Sequence, residues 1–195
     1  MNKNIESNYM MNIAEEISES NMIGYDDLPK YDLFLSQVID FLNDNFKEDK
    51  YTNNIVQNYI KSEVITKPED GKKRGYTKLH LVQLILLSYM RPVLTTEEIK
   101  KVFTMAFNEI NDRDDDIISW EEAYKIFSEN QNQSYEDILG KSNFSDERLE
   151  KIITDLKLNE NDENRIKTFL LVMSLIAQAS AIKNLAQKIV NEYYS

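Results

Sequence analysis

Apolar residues recur at spacings of three and four along most of this chain, which is the periodicity of amphipathic helices. The first clear stripe runs from Leu33 to Phe46 and predicts about four helical turns that begin after Pro29. A second, shorter stripe follows Thr52, a residue type that caps helix N-termini. Four glycines and three prolines occur in 195 residues, so few turns interrupt these runs. The pattern predicts an all-α, mainly helical fold.

A polar loop separates the second predicted helix from a strongly apolar one. Val64-Ile65-Thr66 is expected to form a short extended piece, and residues 68–76 contain a proline, two glycines and three consecutive cations, as turn-forming loops do. Thr77 is expected to cap the apolar helix, which ends before Pro92. The sequence Thr95-Thr96-Glu97-Glu98 then predicts the start of another helix.

Residues 108–195 are predicted to form a helical C-terminal region with polar breaks, one of them extending through Ser134. Its expected helices are Trp120 to Phe127, Tyr135 to Leu139, Asp146 to Leu156, and a last one from about Asp162 to Tyr194 that contains neither Gly nor Pro. We expect residues 1–24, which are rich in Asn and Ser, to form a flexible N-terminal arm. Residues 25–107 then form the central region.

The composition excludes several kinds of site. The chain contains no cysteine, which rules out disulfides and thiolate metal sites, and His80 is its single histidine. Neither a glycine-rich phosphate loop nor a Ser-x-Gly nucleophile elbow occurs, so we expect no enzymatic activity and no cofactor. The start of the chain has no basic-then-apolar signal pattern, and the longest apolar stretch, Phe169 to Ala177, is shorter than the roughly 20 residues of a membrane span. We therefore expect a cytoplasmic location and no membrane partner.

The net charge of −11 is unevenly distributed. Residues 1–49 hold three Lys against eleven Asp and Glu, residues 50–101 hold ten Lys and Arg against five, and residues 102–195 hold ten against eighteen. One segment with a net charge of +5 therefore lies between two segments of −8 each. The basic segment indicates a local footprint for a polyanion. The acidic flanks fit three roles: solubility, a basic protein partner, or shielding of the basic face until an effector or dimerisation acts.

The order of elements from Tyr51 to Phe103 resembles the winged helix-turn-helix of MerR-type regulators. The matching residues are Tyr59 with the later apolar pair Val64 and Ile65, the loop-closing step Arg74-Gly75-Tyr76, and Thr96-Glu97-Glu98-Ile99 after the leucine-rich helix. The resemblance implies a MerR-like winged helix-turn-helix over residues 25–107, with helical N- and C-terminal extensions. It further implies a DNA-binding transcriptional regulator, expected to be a repressor, that acts as a dimer on double-stranded DNA.

A more specific resemblance covers roughly residues 25–190. It is carried by the run from Leu28 to Val38, by Thr52 through Tyr59, by Lys72-Lys73-Arg74-Gly75-Tyr76-Thr77 with His80 just inside the next helix, and by the apolar C-terminal helix. In these residues the chain is similar to the bacterial family named domain of unknown function eighteen thirty-six. Members of that family are usually interpreted as MerR-like regulators.

The second predicted helix and the loop after it have chemistry that suits DNA. A helix N-terminus offers free backbone N–H groups to phosphate, amide side chains both donate and accept hydrogen bonds as base edges require, and cations on a wing lie against neighbouring phosphates. The predicted DNA-binding residues are Thr52, Asn53, Asn54, Gln57, Asn58, Lys61, Lys72, Lys73, Arg74, Tyr76 and Lys78. As isolated features, three consecutive cations are typical of a solvated loop, and Tyr76 is typical of packing rather than of base reading.

Two residues depart from the MerR pattern. Glu63 stands where many MerR-type proteins have a helix-ending glycine, which leaves the geometry of that turn open. Gln57 stands where they often have an arginine that contacts phosphate. The second departure and the acidic total favour an alternative function, a protein-interaction adaptor that keeps the winged-helix fold without binding DNA.

Asp112-Arg113-Asp114-Asp115-Asp116 resembles part of a calcium-binding loop, which needs Gly at its sixth position and a carboxylate at its twelfth. Counted from Asp112, those positions hold Ile117 and Ala123. We therefore predict a polar loop and no metal site.

The predicted last helix is apolar around much of its circumference, which a helix packed on one side only does not need. A homodimer is the commonest way to bury such a surface, and the residues predicted to meet the second copy are Met173, Leu175, Ala177 and Ser180. The alternative is a central helix that is wrapped by the other helices of its own chain.

Overall fold

A computed structural model describes residues 23–46, 50–68, 75–138 and 146–193. These residues form a short 3-10 turn, Tyr25–Asp27, and the helices α1 (Leu35–Asn45), α2 (Asn53–Lys61), α3 (Lys78–Met90), α4 (Thr96–Phe107), α5 (Trp120–Ile138), α6 (Asp146–Leu156) and α7 (Glu160–Tyr193). The prediction of a mainly helical fold is confirmed. Most of the predicted arm, residues 1–22, lies outside the described residues.

Helix α3 is buried on every side because its sequence is apolar around the whole circumference. Leu81, Val82, Leu84, Ile85, Leu86 and Leu87 are all almost completely buried. Helices α1, α5 and α7 pack against α3 and cover it from different directions. Thr77 precedes α3 as the sequence predicts, and the His80 side chain completes the cap by accepting a hydrogen bond from the Thr77 backbone N–H at 3.1 Å.

A cluster of aromatic rings joins α4, α5 and α7. The rings of Phe107 and Trp120 are stacked with centroids 3.5 Å apart, and Phe103 meets Trp120 edge-on at 5.0 Å. Phe169 of α7 contacts Phe107 edge-on at 5.7 Å. Such pairs stabilise a core beyond the area that they bury, so this cluster fixes α7 against the two helices that precede it.

Helix α5 continues through the polar stretch where a break is predicted, so the separate short helix expected at Tyr135 is wrong. Two polar side chains of this stretch, those of Asn130 and Gln131, face the protein. Gln131 is buried, and Asn130 Nδ2 donates a hydrogen bond to Ser174 Oγ of α7 at 3.0 Å. Contact with α7 therefore satisfies the Asn130 side chain, which would otherwise favour a turn.

Helix α7 is the longest element and packs against α3, α4, α5 and α6. Ile166, Phe169, Leu170, Met173 and Ala177 face the core and are buried. By length and composition the segment Glu160–Ile189 is apolar enough to cross a membrane, although the longest uninterrupted apolar stretch is short. About half of that apolar window, 47%, is buried inside the protein, as in the central helix of a helical domain.

The sequence leaves the geometry of the turn after α2 open, because Glu63 stands where a glycine is expected. The structure shows that geometry. Glu63 adopts φ = 55°, the left-handed conformation that glycine favours. Its backbone N–H donates to Ile60 O at 3.1 Å, and the N–H of Val64 donates to Tyr59 O at 2.9 Å, which is the pattern of a Schellman cap. Val64 and Ile65 follow in a bend and are buried, so the short extended piece predicted there is wrong.

Replacing Glu63 by glycine should therefore stabilise the protein. Relief of the left-handed backbone strain is worth about 1–2 kcal/mol, whereas the exposed pair that Glu63 makes with Lys100 contributes about 0.2–1 kcal/mol. Urea unfolding should show a higher midpoint for Glu63→Gly with an unchanged slope. Lys157, which has φ = 51° after α6, provides a parallel case, and Lys157→Gly should act in the same direction. A lower midpoint for Glu63→Gly would show that the Lys100 contact outweighs the strain.

Candidate nucleic-acid interface

Helix α2 presents its polar residues on one side and buries the other. At about 100° per residue, Asn53, Asn54, Gln57, Asn58 and Lys61 fall within an arc of about 140°. All of these except Gln57, which is half-buried, are exposed. Val56 on the opposite side is completely buried. The α2 residues predicted to contact DNA therefore share one face, and that face is open to solvent apart from Gln57.

The N-terminus of α2 is capped by the residue that the sequence predicts. Thr52 Oγ1 accepts a hydrogen bond from the Ile55 backbone N–H at 3.4 Å, a long cap contact. The helix has no acidic residue in its first turn, and Lys61 lies in its last turn. The exposed side of α2 consequently carries amides and one cation, with no carboxylate of its own.

The Gln57 side chain forms a hydrogen bond within the protein. Its Nε2 donates a hydrogen bond to the Tyr76 hydroxyl at 3.3 Å. Tyr76 is buried, its ring contacts His80 edge-on with centroids 5.4 Å apart, and burial raises the pKa of its hydroxyl. Gln57 and Tyr76 therefore fix α2 relative to the loop, which agrees with packing as the role of Tyr76.

The loop between α2 and α3 is anchored at its far end by an isolated antiparallel β-bridge. Leu33 donates to Tyr76 O at 2.8 Å, and Tyr76 donates to Leu33 O at 3.3 Å. This bridge is the only β-pairing within the described ranges, which contain no strand. The cations Lys72, Lys73 and Arg74 lie outside the described residues, so their contact with DNA stays a prediction.

The near end of the loop is anchored to two other parts of the fold. The Thr66 N–H donates to Gln83 Oε1 at 2.9 Å, and Gln83 Nε2 donates to Thr66 Oγ1 at 2.7 Å. The Lys67 N–H donates to Asn111 Oδ1 at 2.9 Å. Sequence reasoning missed these anchors, although a glutamine in the middle of the apolar α3 was a usable signal, because a buried polar group needs a partner.

Lys78 does not extend the α2 face. Its Nζ lies 3.5 Å from the centroid of the Tyr25 ring, and Lys125 of α5 lies 5.1 Å from the same ring. These are cation–π distances. Glu121 accepts hydrogen bonds from Lys125 and from Tyr25, which lower the pKa of its carboxyl group. Lys78 therefore belongs to a small cluster that fixes the 3-10 turn to α5.

The helix that packs against α2 is acidic. Asp40 and Asp44 of α1 are exposed, and α1 contains no Lys or Arg. Lys100 of α4 approaches the end of α2, where its Nζ lies 3.1 Å from Glu63 Oε2 and donates to Ser62 O at 3.2 Å. Among the described residues the charge around α2 is therefore mixed, with Lys61 and Lys100 near Asp40, Asp44 and Glu63.

The four residues predicted to form a dimer interface have different environments. Met173 and Ala177 are buried against the chain's own helices, so they are not accessible to a second copy in this fold. Leu175 is 55% exposed and Ser180 is half-buried. The core-facing side of α7 is thus the central helix that the sequence offers as an alternative, and the homodimer stays a prediction that rests on Leu175 and Ser180.

The acidic loop between α4 and α5 is held by backbone contacts and by α7. The Ile117 N–H donates to Ala106 O at 2.9 Å, and Asn108 donates to Asp115 O. Arg165 of α7 donates to Thr104 O at 2.6 Å and also to the Asn108 side chain. Across the described part of the chain, no three His, Asp or Glu side chains are grouped so that they could hold a metal ion.

Asp116 in this loop is electrostatically unusual. Its partial burial, and after that the charge of neighbouring Asp115, raise its pKa from 3.8 to about 7. The folded protein therefore holds this proton more tightly than the unfolded chain. The carboxyl group costs no stability below pH 4, its destabilising effect grows as the pH rises from about 4 to about 7, and it stays constant above that.

These observations define a class of helical protein. In it, an exposed helix that carries amide side chains lies beside a loop whose two ends are anchored. A family model described as Domain of unknown function (DUF1836) matches residues 23–127, which is more than half of the chain. The chain belongs to this family. The match extends from the residues just before the 3-10 turn to Phe127 in α5, a shorter span than the resemblance seen in the sequence. No curated protein and no solved structure matches the chain significantly.

The Asp116 carboxyl group predicts a pH-dependent effect of Asp116→Asn. The variant should be more stable than the parent by about 1–2 kcal/mol at pH 8 and nearly equal to it at pH 4, after allowance for partial exposure. Urea unfolding at both pH values measures the difference. Asp114→Asn, which removes a charge at an exposed position of the same loop, should show no such change with pH. An equal effect of Asp116→Asn at both pH values would contradict the raised pKa.

Proposed function

We propose that this protein is a DNA-binding transcriptional regulator, expected to be a repressor, that uses a MerR-like winged helix-turn-helix. In this proposal α2 enters the major groove and the loop over residues 68–76 serves as the wing. A helix fits the major groove of B-DNA, where each base pair presents a distinct pattern of donors and acceptors.

The observation that carries the proposal is the exposed face of α2. Three asparagines and one lysine project from it, Asn53, Asn54, Asn58 and Lys61. Asparagine reads adenine by paired hydrogen bonds, and lysine contacts guanine or phosphate. The buried Val56 and the Gln57–Tyr76 hydrogen bond hold the helix while this side remains open.

The anchored loop supports the same proposal. Its two ends are fixed by the Leu33–Tyr76 bridge and by the Thr66–Gln83 pair, while its cations lie in between. A wing needs this arrangement, because cations contact the backbone next to the groove only if the base of the loop has a fixed position relative to the recognition helix.

A second candidate function is the protein-interaction adaptor. It is favoured by Asp40 and Asp44, which are exposed on the helix packed against α2 and would repel a nearby phosphate backbone. In the adaptor, the α2 face would meet a protein surface that carries hydrogen-bonding groups and positive charge. The two candidates differ in one measurable property, the salt dependence of binding to duplex DNA.

The first test concerns α2. The double variant Asn54→Ala/Asn58→Ala should bind more weakly by about 1–3 kcal/mol for each base that it no longer reads, on a duplex that the parent selects from a random library. It should also read those positions less specifically. Filter binding or fluorescence anisotropy measures the affinity. Asn164→Ala, at an exposed position of α7, is the control and should bind like the parent. If the parent selects no sequence from the library, the adaptor is favoured.

The second test concerns the loop. Changing Lys72, Lys73 and Arg74 to Ala should weaken binding to all duplexes alike, and it should reduce the slope of log affinity against log salt by about one unit for each phosphate that the loop no longer neutralises. Affinity is measured at several salt concentrations on one duplex. The control is Lys78→Ala, because Lys78 contacts Tyr25 rather than the α2 face. Equal affinity and slope for the triple variant and the parent would remove the loop from the interface.

A further inference from the structure

Helix α7 exposes an aliphatic stripe on the side opposite to its core face. Leu171, Leu175 and Ile182 are 43%, 55% and 58% exposed, and the half-buried Gln178 lies between the last two. These four residues fall within an arc of about 60° on the helix surface. Three of the five large hydrophobic side chains that are exposed in the described part of the chain therefore lie in one row, unlike single exposures that are scattered over a surface.

The spacing of this stripe indicates that its partner is a helix. The steps from Leu171 to Leu175, from Leu175 to Gln178 and from Gln178 to Ile182 are four, three and four residues. This is the heptad spacing at which the side chains of one helix insert between those of a second helix. The core face of α7 lies on the other side and is already covered, so the heptad positions are available to a helix from outside the described fold.

The stripe carries no charge that would select a different protein or repel an identical one. From Thr168 to Ile182 the sequence contains no Asp, Glu, Lys or Arg. Charges beside a helical seam normally set the choice of partner, so a neutral seam is compatible with a second copy of itself. A two-fold contact between identical chains is also the commonest way in which proteins bury such a surface.

An antiparallel pair of α7 helices uses every residue of the stripe. One register places Leu171 opposite Ile182 of the second copy and Leu175 opposite Gln178 of the second copy, and the two-fold axis repeats both contacts. The two Gln178 side chains then lie about 4.5 Å apart along the helices, where each amide can donate to and accept from the other. Opposed helix dipoles favour this antiparallel arrangement over a parallel one.

We propose that a second copy of this chain covers the stripe, through an antiparallel two-fold contact between the two α7 helices. Leu171, Leu175, Gln178 and Ile182 form the contact, whereas Met173 and Ala177 stay in the core of each copy. The contact does not depend on the proposed binding of DNA, so the two proposals can fail separately. A dimer of this kind carries two copies of the α2 face.

Light scattering tests the contact. The mass of the parent should rise from one chain to two as its concentration increases to about 0.2 mM, because a contact of this size belongs to the weak class. Leu175→Glu places a charge in the middle of the seam and should hold the mass at one chain. Val93→Glu is the control, because Val93 is 52% exposed and lies between α3 and α4. This control should dimerise like the parent, and circular dichroism should show unchanged helix content in both variants.

Introduced cysteines determine the register, because the chain contains no cysteine of its own. Leu171→Cys chains that are mixed with Ile182→Cys chains in a glutathione buffer should form a disulfide between the two variants. Either variant alone should form at least about tenfold less disulfide. In that case the two identical thiols lie about 16 Å apart along the paired helices, which is beyond the reach of a disulfide.

Three results would count against the proposal. A parent that keeps the mass of one chain at about 0.2 mM would overturn it. A two-chain mass that Leu175→Glu leaves unchanged would also overturn it, since the dimer would then use another surface. Efficient disulfide formation by Leu171→Cys alone would overturn the antiparallel arrangement in favour of a parallel one.

Discussion

Helix α3 must be covered on all sides, because six of its aliphatic side chains are almost completely buried and its few polar residues do not form one face. Helices α1, α5 and α7 satisfy this requirement together. Their positions around α3 then determine where the shorter elements lie. The Leu33–Tyr76 bridge ties the chain before α1 to the chain before α3, and α2 packs beside α1. The exposed side of α2 is thus a consequence of how α3 is buried.

Polar groups inside this apolar framework give the candidate interface its fixed geometry. Gln83, in the middle of α3, pairs with Thr66, and Gln57 reaches the hydroxyl of the buried Tyr76. A buried polar group left without a partner is expensive, so each of these pairs specifies one arrangement of the loop ends relative to α2. The exposed asparagines of α2 then project from a fixed helix. The acidic α1 beside them is the main electrostatic feature that opposes binding to a nucleic acid.

Helix α7 plays two structural roles, and the residues for both roles alternate along the same stretch of sequence. Its core side fixes α4 and α5 through the aromatic cluster and through Arg165, which contacts the backbone of α4 and the Asn108 side chain. Its outer side presents aliphatic residues among cations. A helix that is apolar all round normally indicates complete burial. Here the described helices of the same chain cover one side and leave Leu171, Leu175 and Ile182 exposed on the other.

The sequence by itself determined the helical class, the cap at Thr52, the start of α3 after Thr77, the buried α3 and the exposed polar side of α2. These properties depend on periodicity and on local backbone chemistry, which act between residues three or four positions apart. Family membership was also readable, because the motif residues stand at recognisable spacings. The tertiary structure alone decided that α5 continues past Ser134, that Glu63 adopts a left-handed turn, that Lys78 contacts Tyr25 and that Met173 and Ala177 belong to the core. Each of these outcomes depends on a partner from a distant part of the chain or on a backbone strain that packing tolerates. Local pattern carries no information about such partners, because their free energy is gained only when the helices meet.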